Sequence, residues 1–205
     1  MSFFVFNYSH LIDPFLKDLR KFVVKFSEVG KEEKVLDVCC GTGDQIFHFA
    51  KVSAFAVGID KNPQMIDFAK KIKERRKIRN VHFEVASATN LPFKDSTFDL
   101  ALISLALHEI ESKERNLVIS EMKRVVKKEK SLIFVDFQVP LPKNIFSFFI
   151  QKIEHFAGKE HYLNFKNFLQ EGGLKNLMAK NKLKIEKEIS FKNNLLTIIK
   201  AKNFN

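Results

Sequence analysis

Asp60 ends the stretch AFAVGID (54–60), 17 residues after Gly43 of the loop CGTGD (40–44), and an apolar run precedes each. Small residues behind one strand and an acid at the end of the next form a nucleoside grip. Glycine serves where a turn needs positive φ or where backbone must approach a ligand closely. A carboxylate at the second strand's end can accept both hydroxyls of a ribose. A second group lies further on: His108 and Glu109 in SLALHEI (104–110), Asp136 in SLIFVDF (131–137), and His155, His161 and Tyr162 in HFAGKEHYLNFKNFLQEGGL (155–174). Imidazole and carboxylate side chains at strand ends can take up a proton or contact a polar substrate group. Asp136 fits either a pocket role or a loop cap. His10 and His48 fall on helix faces and are assigned no role.

The sign of the charge around the glycine loop narrows the ligand. A nicotinamide fingerprint asks for a third glycine, and Ile46 stands there. Asp44 at the following helix start opposes a pyrophosphate, which favours an uncharged or positive helix N-terminus. S-adenosylmethionine, with its sulfonium and ammonium, fits that acid better.

Alternating periodicities must position these groups. Apolar residues at helical spacing over 8–28 give an amphipathic N-terminal helix, interrupted near Pro14. Strands follow at 34–39, 54–60, 81–87, 97–107 and 131–137, with helices over 43–51, from the Asn62-Pro63 cap and first residue, and over 112–128. In the last of these Leu117, Ile119, Met122, Val125 and Val126 are expected inward. The near-unbroken apolar run TFDLALISLAL suits a parallel strand buried on both faces. Residues 145–181 read as helix broken at Gly172-Gly173, and 183–191 with 194–202 as a hairpin, which makes the last strand antiparallel. The expectation is an α/β, Rossmann-like, doubly wound sheet of seven mostly parallel strands with an N-terminal helix and a helical lid after the fifth strand. One domain over 1–205 divides into an N-terminal helical segment (1–30), a cofactor-binding core (31–140), the lid (141–181) and the hairpin (182–205).

VLDVCCGTGDQ, GIDKNPQMIDFAKK, ATNLPFKDSTFDL and EMKRVV followed by Asp136-Phe137 together resemble the class I S-adenosylmethionine-dependent methyltransferases, most nearly the group containing ubiquinone and menaquinone C-methyltransferases. The resemblance covers residues 35–137. It implies that Asp37, Cys39, Gly41 and Gly43 surround the methionine part of the cofactor, with Ser104 and Leu105 lining the same pocket. Asp60 would hold the ribose, Lys61 and Met65 would lie near the adenine, and Ser87 with Ala88 would meet the adenine amine. Cys39 replaces the family's first glycine, Ser87 its aspartate, and KKEKS (127–131) its Pro-Gly-Gly turn. The implied activity is methyl transfer to a small hydrophobic or aromatic acceptor, leaving S-adenosylhomocysteine. His108 and Glu109 are the candidate catalytic residues; Tyr8, His108, His161, Tyr162 and Phe165 are the candidate acceptor contacts.

Composition frames these expectations. The net charge is +11, and Lys70–Arg79 holds one acid, Glu74, among its basic residues. That raises RNA or protein methylation as an alternative and an anionic membrane as a contact, with IFSFFI (145–150) between Lys143 and Lys152. A non-catalytic S-adenosylmethionine-binding protein is the third reading. Two adjacent cysteines, Cys39 and Cys40, point to opposite faces of a strand and make neither a disulfide nor a zinc set, so free thiols, no metal and a cytoplasmic setting are expected.

Overall fold

A computed structural model describes residues 16–204; Tyr8, His10 and Pro14 lie outside the described residues. Seven strands form one sheet in the order β3-β2-β1-β4-β5-β7-β6. β1 (Lys34–Val38) pairs in parallel with β2 (Phe55–Asp60) and β4 (Phe98–Ser104), β2 with β3 (Val81–Val85), and β4 with β5 (Val126–Phe137). β7 (Leu196–Lys202) runs antiparallel between β5 and β6 (Lys184–Phe191). The reversal of strand order at β1 and β4 opens a crevice outside their carboxyl ends.

Two apolar clusters sandwich the sheet. On one face α1 (16–27), α2 (Asp44–Phe49) and α3 (Pro63–Arg75) bury Leu19, Val23, Ile46, Phe49, Ile66 and Ala69. On the other, α4 (Ser112–Val125) and α7 (Gly173–Lys180) bury Val118, Met122, Leu174 and Leu177. α3 starts as its sequence dictates: Pro63 needs no partner for a missing N–H, and the Asn62 side chain accepts from Gln64 N–H at 2.9 Å. Cys39 and Cys40 are free and pack toward different clusters, as alternation requires.

Three expectations change. The fourth strand stops at Ser104 and not at Leu107, because Leu105 turns out of it at φ 54 while its N–H still reaches Val135 O at 2.8 Å. α4 ends at Val125 and passes directly into β5 at Val126, three residues before the expected helix end. Pairing moves from Phe98↔Val126 to Leu100↔Ser131, so residues 127–130 bulge in place of a glycine turn. Lys127 and Lys130 hold that bulge on Asp99 at 2.8 and 3.7 Å. Finally, Leu117 is 55% exposed, and Arg115 takes the inward position of the α4 stripe.

The helical insert after β5 comprises α5 (Ile145–Phe156), α6 (Lys159–Gln170) and α7. It breaks at Gly172-Gly173 as expected and also at Ala157-Gly158. Phe165 and Phe168 of α6 enter opposite core clusters, which seats the insert across the carboxyl edge of the sheet.

Candidate active site

The loop leaving β1 carries three left-handed residues, Cys39 (φ 59), Gly41 (φ 52) and Gly43 (φ 79). The two glycines serve different ends. A Cβ on Gly43 would meet Phe83 Cζ at 2.6 Å, so packing forbids one; a Cβ on Gly41 would meet nothing within 4 Å, so the backbone there stays open to a ligand. Cys39 holds its conformation at the ~1–2 kcal/mol that an L residue incurs in that region. Asp60 locks the loop: Gly41 N–H donates to Oδ2 and Asn62 N–H to Oδ1, both at 2.9 Å. An ionised carboxylate offers about four acceptor sites, so each oxygen keeps capacity for a ribose hydroxyl.

Asp37 is 2% exposed, and its Oδ2 has no hydrogen-bond partner among the described residues. Burial, then the nearby Asp60 charge, push its carboxyl well above the usual range. A buried acceptor without a donor is costly, and an ammonium group in the cleft would supply one. The same surroundings push the Cys39 thiol up to about 12, first through burial and then through Asp60 and Asp37, so it stays protonated.

These residues wall a cleft of about 470 Å³. It brings together Asp37, Cys39, Gly41, Asp60, Lys61, Met65, Ser104, Leu105, His108 and Glu109, with Leu16, Leu19 and Phe137 as apolar wall. Gly43, Ser87 and Ala88 lie off its lining. Ser87 is exposed and turned toward Thr89, its hydroxyl 2.8 Å from Oγ1. His48 also lies off the lining, half-buried on α2.

His108 is 2% exposed and lines the cleft. Its backbone N–H donates to Asp136 Oδ2 at 3.1 Å, its Nδ1 lies 2.6 Å from Asp136 Oδ1, and the Phe137 ring sits 4.7 Å away. Asp136 therefore faces the pocket histidine and does not merely cap the next loop. Burial opposes a charge on His108, but Asp136, its hydrogen bond, Glu109 and Glu154 prevail and hold the imidazole up at about 9. Its Nε2 lies 3.7 Å from both Glu109 Oε1 and Glu154 Oε2. His161 is bonded through Nε2 to Glu154. Phe165 is buried 6.0 Å from the His108 ring, and Tyr162 lies 6.4 Å beyond it, so both sit behind His108 and off the cleft surface.

Arg115, which sequence reasoning missed, clamps the loop carrying His108. Its Nε donates to Leu107 O and Ile110 O at 3.0 Å, on either side of His108 and Glu109. Its Nη atoms reach Asn164 O, Asn167 Oδ1 and Glu171 Oε2 at 2.8, 2.9 and 3.3 Å, on and just after α6. The one available signal was its register: 115, 118, 119 and 122 share a stripe.

The model of the methyltransferase domain family matches residues 30–195. The chain belongs to this family, the class I S-adenosylmethionine-dependent methyltransferases. S-adenosylmethionine is its cofactor, and the orphaned Asp37 oxygen, the open Gly41 backbone and the Asp60 carboxylate suit that ligand's ammonium, close approach and ribose. Among relatives of this methyltransferase-domain chain is the ubiquinone/menaquinone biosynthesis C-methyltransferase UbiE of Citrifermentans bemidjiense, 33% identical over 141 residues, 65% of this chain and 59% of that protein. The chain thus spans about three fifths of that relative's length. Among solved structures, geranyl diphosphate methyltransferase in complex with S-adenosylmethionine superposes with a TM-score of 0.69 at 14% identity, covering 91% of this chain and 84% of the other. The [4+2]-cyclase SpnF superposes with a TM-score of 0.72 at 16% identity, over 91% and 80%. A cyclase on the same fold means that the acceptor must be argued from the site.

Proposed function

We propose that this protein methylates a small hydrophobic or aromatic acceptor whose polar group meets His108 and Glu109. The observation that carries this is the cleft wall, where apolar Leu105, Ala106 and Phe137 line the same cavity as His108 and Glu109, with the Phe137 ring 4.7 Å from the imidazole. When bound, S-adenosylmethionine would supply a sulfonium-held methyl for in-line attack by an acceptor nucleophile, with S-adenosylhomocysteine as the leaving group. Asp37, Gly41 and Asp60 would fix the cofactor, and Phe137 and Leu105 would orient a flat acceptor and exclude water. Asp136 keeps His108 in one orientation toward the cleft. UbiE, named for quinone C-methylation, supports an aromatic acceptor.

The RNA alternative gains little from the basic run 70–79. It lies on the second half of α3 and past its end; at ~1.5 Å per residue, Lys70 stands roughly 8 Å and Arg75 roughly 15 Å along the axis from Met65 on the cleft wall. Incubation with S-adenosylmethionine labelled on the methyl, and either a panel of hydroquinones and naphthols or total RNA at low salt, decides between them. Label is expected in the organic extract. Label confined to RNA would overturn the reading.

A membrane contact would seat on α5. α5 buries only Ser147 and Glu154 and exposes Ile145, Phe146, Phe148, Phe149 and Phe156, the last at 69%. Lys143 and Lys152 are exposed beside these rings, with Lys152 Nζ 5.5 Å above Phe148. Among the described residues no helix is long and apolar enough to cross a membrane. This aromatic and basic face instead suits lying on an anionic bilayer, source of a lipid-like acceptor. The chain is expected to co-sediment with phosphatidylglycerol vesicles, and Phe148→Ser with Phe149→Ser to weaken binding by about tenfold or more. Equal binding by the double variant would exclude α5 as the contact.

A further inference from the structure

We propose that His108, Glu109 and His161 form a binding site for one divalent transition-metal cation at the wall of the cleft. Each of the three offers a donor atom, and these atoms lie within 4.8 Å of one another. Glu109 joins the pair: its Oε1 is 3.7 Å from His108 Nε2 and its Oε2 is 4.0 Å from His161 Nδ1. Donors ~2.0–2.1 Å from a tetrahedral ion stand about 3.4 Å apart, so the set, now within 4.8 Å, closes by up to about 1.4 Å to hold an ion. Glu109, half-exposed on a loop, can make its share of that movement.

Both histidines are held from behind by carboxylates. Histidine ligands are typically oriented by a carboxylate on the other ring nitrogen, and both histidines here have one. Asp136 holds His108 at Nδ1 and leaves Nε2 facing Glu109 and Glu154, each at 3.7 Å; Glu154 holds His161 at Nε2 and leaves Nδ1 toward Glu109. Three carboxylates thus surround two imidazoles in a largely buried place, a charge pattern that a dication completes. Two nitrogens and one carboxylate select zinc, iron(II), cobalt or manganese over calcium or magnesium, which take oxygen donors. His108 and Glu109 line the cleft, so the open positions of the ion face the acceptor. There the ion would bind an acceptor oxygen and lower its pKa. That role rests on the methyl-transfer reading above; the site itself does not.

The test is cobalt(II) titration of chelator-dialysed protein, followed by its visible d–d absorption, with S-adenosylmethionine affinity measured on the same samples. One equivalent is expected to bind, with His161→Ala and Glu109→Gln each abolishing the absorption and Glu154→Gln weakening binding about 10–100-fold. His155→Ala, whose ring packs 5.0 Å from Tyr162 outside the cluster, should bind as the parent does. Undiminished cobalt binding by His161→Ala, or none by the parent protein, would overturn the inference. Cofactor binding without cobalt binding rejects the site and leaves the methyltransferase reading intact; cobalt binding without cofactor binding does the reverse.

Discussion

Arg115→Ala is expected to lower folding stability by about 3–5 kcal/mol, seen in thermal unfolding as a fall of roughly 10 °C or more. The side chain is 1% exposed, makes five hydrogen bonds, and stacks its guanidinium 5.4 Å from the Phe168 ring. Removing it orphans the carbonyls of Leu107 and Ile110 and leaves the Asn164 and Asn167 contacts of α6 unmet. It also frees the loop that presents His108 and Glu109. Arg115→Lys should rescue little, because an ammonium cannot reproduce a planar fork shared among two loop carbonyls and α6. Cofactor affinity measured below the melting range should change little, since Arg115 lies off the cleft lining. A loss below ~1 kcal/mol would show that the insert is held by its phenylalanines alone.

The two cleft carboxylates are expected to separate binding from stability. Asp60→Ala should weaken S-adenosylmethionine binding by roughly 100-fold or more, the scale of losing charge-assisted hydrogen bonds worth about 1.5–3 kcal/mol each. It should also destabilise the loop, because Gly41 N–H and Asn62 N–H lose their acceptor. Asp37→Asn should likewise weaken binding, by removing the ammonium's partner, yet stabilise the free protein at neutral pH. The sign follows from linkage. The folded carboxyl titrates well above its unfolded value, so folding costs nothing here below the ordinary carboxylate range. The cost grows as pH rises from there toward the folded value, and asparagine is spared it. Melting curves of both proteins near pH ~4 and near neutrality should therefore diverge upward with pH. A variant less stable than its parent at neutral pH would contradict a buried carboxylate with an unpaired Oδ2.

The cofactor half of the site was legible because its signal is local. CGTGD and Asp60 lie within about twenty residues, and strand and helix periods placed both at the carboxyl edge of the sheet. The acceptor half was less so. His108 stood out by type and place, but Asp136 and Glu154 face it from other elements, and no spacing rule pairs residues 28 positions apart. α5 shows the limit of periodicity most plainly. IFSFFI reads equally as core or as surface contact; the structure buries the opposite face, because Ser147 sits inside near the Asn144 cap and Glu154 reaches His161. Arg115 was lost to a rule that assigns charge outward and Leu117 inward.

The most direct test of the account is calorimetric titration of the unmodified chain with S-adenosylmethionine and S-adenosylhomocysteine, with Asp60→Ala alongside. One saturable site is expected for each ligand, lost or strongly weakened in the variant while its far-UV spectrum stays that of the parent. Absence of binding at millimolar cofactor, or equal binding by Asp60→Ala, would contradict a cofactor cleft built on the β1 loop and the end of β2.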